Sequence, residues 1–135
     1  MSEFHSVKCE LRVQYEASLL EALKKIGFRP KVHDNAVALS GYQGDARSQK
    51  AHIVIPRGQV GAASNDIGFF RETDGTYTVH VSAFDKRKWD EKFPELVKHY
   101  TTDVVHKIVQ SGPYQWDGQS TDNSGVTTIR LTVRE

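Results

Sequence analysis

The sequence predicts an α+β fold in which an antiparallel sheet carries two helices packed on one face, a two-layer sandwich. Two segments repeat apolar residues every three to four positions, as amphipathic helices do. The rest is dominated by short runs, most of them alternating apolar and polar residues, as half-buried strands do. These runs follow one another across turn-sized gaps, so neighbours pair antiparallel rather than through helical crossovers. At 135 residues the chain reads as a single domain, 1–135, able to bury a core without disulfides or a structural metal.

The first strand is "SVKCELRV", with Val7, Cys9, Leu11 and Val13 on one face and Ser6, Lys8, Glu10 and Arg12 on the other. "EASLLEALKKIGF" follows as a helix, its stripe made by Leu19, Leu20, Leu23 and Ile26 and its end marked by Gly27. "RPKVHD" and "AVALSGY" read as two short strands separated by a turn at Asp34-Asn35. "AHIVIP" is the next strand, closed by Pro56, and "RGQVGAASN" has the glycines and small residues of a mobile loop. "DIGFFRE" and "TYTVHVSAF" form a hairpin about Thr73-Asp74-Gly75, the Asp-Gly pairing that type I′ turns favour. The second helix runs from about Asp90 to Ser111, where Phe93, Leu96, Val97, Tyr100, Val104 and Ile108 step by three and four. Pro94 then falls in its first turn, and Gly112-Pro113 stops it. "YQWDG" and "GVTTIRLTVRE" make a last strand pair around "QSTDNSG".

The charges nearly cancel, 18 Lys and Arg against 17 Asp and Glu, which argues against a protein that coats DNA through many phosphate contacts. A local basic patch is still compatible with that balance. No run approaches the roughly 18 apolar residues of a membrane span. "MSEFHSVKCELRV" lacks the basic and apolar regions of a secretory signal. Cys9 is the single cysteine, so no internal disulfide framework forms and a reducing, cytoplasmic setting is expected.

Four pieces carry a resemblance: the opening "MSEFHSVK", the "SGYQG" turn, "NDIGFFRETDGTY" and "GVTTIRLTVRE". In this order, over nearly the whole chain, they resemble a family of hypothetical chloroplast reading frames that also occurs in cyanobacteria, other bacteria and phages. That family is described as a domain of unknown function. Asp66-Ile67-Gly68-Phe69 and Asp74-Gly75-Thr76-Tyr77 carry most of the likeness. The resemblance implies no enzymatic chemistry, and gene neighbourhoods that include an AAA-type ATPase imply an accessory role. This chain departs from the family's pattern at Glu3 and His5, where a histidine usually follows Met-Ser, and in a longer loop from Gly58 to Ser64. The first departure weakens a fixed chemical role for an N-terminal histidine.

Taken by itself, Asn65-Asp66-Ile67-Gly68-Phe69 reads as architecture. Asp66 bonds nearby backbone amides and ends the loop, Ile67 and Phe69 share a face, and Gly68 admits a bulge or a close backbone approach. The functional alternative is a small ligand or peptide resting on the Gly68 backbone.

His99, Asp103 and His106 share a flank of the second helix at the spacing of a Zn or Fe(II) ligand set. A solvated flank beside the apolar stripe is the preferred reading, since the His-Glu-x-x-His glutamate and supporting Cys pairs are missing. Cys9 sits with the apolar residues of its strand, as a buried small hydrophobe does. There is no Gly-x-Ser-x-Gly elbow, and "SGYQGD" lacks the Gly-Lys-Ser/Thr ending of a phosphate loop. Lys8, Arg12, Arg130 and Arg134 lie on polar strand faces, and Lys86, Arg87, Lys88 and Trp89 form a basic run with an aromatic. RNA-binding sheets place aromatics on the open face, where this sequence offers Thr, His, Arg and Glu. Tyr42, Phe70, Phe84, Trp89 and Trp116 fall near strand ends, where aromatics become interface anchors.

The expectation is therefore an accessory or adaptor protein acting through protein–protein contacts at Tyr42, Asp66, Gly68, Phe70 and Trp89. It self-assembles or works with an AAA-type ATPase, needs no cofactor and enters no membrane. One alternative is nucleic-acid binding through Lys86, Arg87, Lys88, Arg130 and Arg134. The other is a metal-dependent enzyme built on His99, Asp103 and His106.

Overall fold

The chain folds as β1 (Phe4–Arg12), α1 (Glu16–Lys25), β2 (Lys31–Ser40), β3 (Ala46–Ile55), α2 (Arg57–Val60), β4 (Ile67–Arg71), β5 (Thr76–Ser82), α3 (Lys86–Ser111), β6 (Tyr114–Thr121) and β7 (Thr127–Val133). This computed structural model describes residues 4–112, 114–121, 123 and 127–133, with backbone alone at 5–10, 114–117, 121 and 127–133. β1 to β5 form one antiparallel sheet in the order β1-β5-β4-β3-β2, while β6 and β7 pair as a separate two-stranded sheet alongside α3. The α+β class holds.

Register explains which face is covered. Ile53, Phe69 and Val79 stand in one cross-strand row, and Ile55 pairs with Ile67. These side chains, with Tyr77 and Val81, meet Leu19, Ala22 and Leu23 of α1 and Trp89, Leu96 and Tyr100 of α3 in one buried cluster. Both helices therefore lie on the same face. Each fully buried Leu, Ile or Phe there contributes about 1.5–3 kcal/mol of transfer free energy. The stripe of Leu19, Leu20, Leu23 and Ile26 packs as expected. Gly27, at φ +98°, ends α1 as the Phe28 amide donates back to the Leu23 carbonyl at 2.9 Å.

Several elements differ from the sequence expectation. α3 begins at Lys86, so Pro94 lies about two turns inside it rather than in its first turn. Proline has no N–H for the Asp90 carbonyl there. The apolar stripe extends back to Trp89, whose ring packs on Phe93 at 5.7 Å, and this packing outweighs the lost bond. The Asp-Gly hairpin is not type I′, which needs positive φ at both central residues, because no non-glycine described residue has one. Gly75 alone is left-handed, at φ +86°, after a turn closed by its amide on the Glu72 carbonyl. The supposed mobile loop opens with a helical turn, α2. Val13 falls in a 3-10 turn beyond β1, and the expected facing of Val7 and Cys9 concerns side chains outside the described residues. Where the β1 ladder shifts, the Arg12 amide donates to the Tyr100 hydroxyl at 3.0 Å.

The largest difference is at Asp34-Asn35, which lies within the continuous strand β2 instead of between two strands. From Val32 to Val37, β2 advances five residues while β3 moves only from Ile53 to Ala51. The excess turns the hairpin. Fully extended, β3 would run about 30 Å. Yet Ile55 at one end pairs with Ile67, and Ser40, which pairs with Ala46 at the other, bonds Asp66. The β2–β3 hairpin thus bends back over the face of the sheet that the helices leave open. There it builds a second small core of Leu39, Ala51 and Val54, flanked by Phe4 and Val37. Gly68 lies underneath: a β-carbon on it would come within 2.5 Å of Ala51 Cβ and 2.8 Å of Leu39 Cδ2.

Candidate functional site

Ser64, Asn65 and Asp66 are three consecutive polar residues, and all are buried, at 0, 0 and 8% exposure. Polar side chains are held inside when their hydrogen bonds are met. Asp66 Oδ2 accepts the Ser40 amide at 2.8 Å and Oδ1 accepts the Arg57 amide at 2.7 Å. One carboxylate thereby fastens the returning hairpin and the start of α2. Asn65 is the hub of a larger knot. Its Oδ1 accepts the Tyr42 amide at 2.9 Å and Arg47 Nη2 at 3.3 Å. Its Nδ2 donates to Ser82 Oγ at 2.8 Å and to Asp85 Oδ2 at 3.3 Å, and its backbone amide also reaches Asp85 Oδ2, at 2.9 Å. Ser82 Oγ donates to the same oxygen at 2.8 Å.

This knot ties together the turn at 41–45, the segment 64–66 and the turn at 82–85. On its outside sit two large apolar side chains that the fold leaves in water, Tyr42 at 37% and Phe84 at 54% exposure. Phe4 pairs with Ser82 beside them, and the Arg47 guanidinium stands over its ring at 5.5 Å. Tyr42 and Phe84 are the exposed members of this group; Arg47, 11% exposed and 3.2 Å from Asp45, and Phe4, packed on the small core, support them from within. Exposed aromatic side chains are among the residue types that dominate binding energy at protein interfaces.

Of the residues singled out from sequence, the structure brings Tyr42 and Asp66 to this end of the sheet. Gly68 is covered by the hairpin. Phe70 is half-buried on the open face, its ring 4.9 Å from that of His52. Trp89 is 5% exposed and packed edge-on against Phe69 at 5.8 Å. In the basic run, Lys86 pairs with Asp90 at 2.7 Å and Arg87 lies 3.9 Å from Glu91, while Lys88 turns toward Gly61. The Arg130 side chain and all of Arg134 lie outside the described residues.

His99, Asp103 and His106 do not converge. His99 faces Glu95 at 3.8 Å and Asp103 pairs with Lys107 at 3.1 Å. Hydrogen bonds from Ser18 and Lys107 hold the Asp103 carboxyl below its usual range. Among the described residues, no three His, Cys, Asp or Glu side chains gather as an ion would require. Asn65, Ser82, Asp85 and Arg47 were missed. The visible signal was a polar run at the mouth of a strand, with an Asp before a helix.

A second polar centre joins the helix layer to the sheet. Arg71 makes a two-pronged ion pair with Glu16, at 2.8 and 2.9 Å, and the Tyr77 hydroxyl donates to Glu16 Oε1 at 2.6 Å. Burial acts to raise the Glu16 carboxyl, but the bonds from Arg71 and Tyr77 outweigh it and hold the carboxyl below its ordinary 4.5. Burial and the Arg71 charge push the His52 imidazole below its ordinary 6.5, and its Nδ1 accepts the Arg71 amide at 2.9 Å. Both shifts have one sign: the unfolded chain binds more protons, so stability rises with pH. The His52 share, together with that of His80, whose imidazole burial also pushes down, is lost as pH falls below about 6.5, and the Glu16 share, with that of Asp103, as it falls below about 4.5. Urea midpoints from pH 8 to pH 3 should decline in two stages, and Glu16→Gln should reduce the lower one. An unchanged lower stage would show that Glu16 does not carry it.

Compared with protein-family models, curated proteins and solved structures, the chain gives no match.

Proposed function

We propose that this protein is an accessory adaptor that binds another protein through the aromatic rim of the Asn65 knot. The observation that supports this reading is the exposure of Tyr42 and Phe84 on turns held in place by buried hydrogen bonds. Anchors fixed before binding lose little conformational entropy on association, so more of their contact energy appears as affinity. The resemblance to the reading-frame family points the same way and places an AAA-type ATPase among the partners to be tested. Self-assembly through the same rim belongs to this reading as well.

A photo-crosslinking residue at position 42 or 84, with position 98 on the far helix as control, tests the surface directly. The expected result is one shared protein adduct from 42 and 84, unaffected by nuclease and missing from 98. Tyr42→Ala and Phe84→Ala should each weaken that complex by about tenfold or more, as truncation of an interface anchor does. Equal adducts from all three positions, or none, would overturn the assignment. Recovery that vanishes with nuclease would instead support the nucleic-acid reading.

A further inference from the structure

We infer that the turn between α1 and β2, with the exposed side of α3 next to it, forms a basic surface that docks an acidic segment of the protein partner. This rests on the adaptor reading and names the chemistry of the partner. Lys92 of α3 donates from Nζ to the Ile26 carbonyl at 3.3 Å and stands over the Phe28 ring at 4.7 Å, which sets it against the end of α1. Arg29 follows in the connection to β2. The Gln59 side chain of α2 clasps its backbone, accepting the amide at 2.7 Å and donating to the carbonyl at 2.9 Å. Beside Arg29 opens a cleft of about 590 Å³ lined by Lys24, Gly27, Phe28, Arg29 and Pro30. Lys88 lies one turn before Lys92 on α3, and Phe84 of the aromatic rim precedes Lys88 by four residues. Lys24, Arg29, Lys88 and Lys92 are all exposed.

The carboxylates of the same elements are engaged elsewhere. On α1, Glu16 is held by Arg71, and Glu21 meets Lys24 at 3.4 Å in an exposed, weak pair. Asp66 and Asp85 are buried and bonded to backbone amides. On α3, Asp90, Glu91 and Glu95 turn to Lys86, Arg87 and His99. Among the described residues, no carboxylate pairs with Arg29, Lys88 or Lys92. Exposed charge of one sign draws a partner surface of the other sign and fixes its register. The Phe28 ring is 5% exposed, so the cleft offers no open face on which a base could stack, which favours an acidic peptide over single-stranded nucleic acid. The cations run up to the turn that carries Phe84, so one partner with carboxylates beside an apolar anchor engages both.

The probe is a fluorescent peptide with a run of glutamates followed by leucines, titrated with the full chain and read by anisotropy. At about 0.1 M salt, charges more than about 10 Å apart are largely screened, so the readout is local. Lys24→Glu and Arg29→Glu should each weaken binding by about tenfold, through one unfavourable charge contact. Both side chains are exposed, so both variants are expected to melt close to the wild type. Lys50→Glu makes the same change in net charge at an exposed position on the hairpin, and its effect should stay below about twofold. No binding, wild-type affinity in both variants, or an equal loss in Lys50→Glu would overturn the basic surface. If only Tyr42→Ala and Phe84→Ala weaken the peptide, the basic surface fails and the adaptor reading stands. If the peptide depends on Lys24 and Arg29 while crosslinks at 42 and 84 give no protein, the adaptor reading fails and the basic surface stands. A single-stranded RNA that binds where the peptide does not would replace the acidic partner with a nucleic acid.

Discussion

Replacing Gly68 with valine should destabilise the protein by about 3 kcal/mol, seen as a lower urea midpoint. Inserting methylenes into a filled core costs about 1–3 kcal/mol, and valine at 68 would add a branched group where one β-carbon already meets Ala51 and Leu39 at 2.5 and 2.8 Å. Leu39 and Ala51 are each 0% exposed, so neither can swing into solvent without lifting the hairpin. Alanine at 68 should cost less, about 1–2 kcal/mol. Gly58→Ala is the control: nothing lies within 4 Å of its added carbon, and its effect should stay within about 0.5 kcal/mol. A Gly68→Val variant as stable as the wild type would show that the hairpin does not close over the sheet.

Asn65→Asp should produce a protein whose instability grows with pH. The change is nearly isosteric, but it replaces the Nδ2 that donates to Ser82 and to Asp85 Oδ2 at 3.3 Å with a carboxylate oxygen. Two carboxyl groups in a buried site cannot both ionise cheaply, so the pair's folded pKa rises above the unfolded value of about 3.9. A raised folded pKa stabilises below the unfolded value, and that contribution is lost as pH rises through the folded one. Relative to wild type, the loss should therefore be small near pH 4 and larger by about 2–3 kcal/mol at pH 8, two pKa units being worth about that much. A loss independent of pH would show that residue 65 and Asp85 are not neighbours.

Local rules were enough where burial and hydrogen bonding stay within one element. The α1 stripe and the alternation of Tyr77, Val79 and Val81 could be read from spacing, whereas at Gly68 the expected bulge or close backbone approach is instead the packing of the Ala51 and Leu39 side chains. They failed where a distant group decides. Asp34-Asn35 has turn chemistry, yet β3 holds it inside a strand as the excess that bends the hairpin. Pro94 should stop a helix, yet Trp89 and Phe93 carry α3 through it. Asp66 was expected to bond amides close by in sequence, and one of its two donors is Ser40, 26 residues away. The Asn65 knot draws on residues from 42 to 85, which no local pattern links.

The position of β1 has a consequence for synthesis. β2 to β5 pair each with the next, so these hairpins can close as they emerge from the ribosome. Among the described strands β1 is the one that pairs out of order, its Arg12 opposite Thr76. At about 5–20 residues per second, its partner arrives several seconds after it does. For that interval β1 has no strand of its sheet to pair with, so its docking waits on the synthesis of β5.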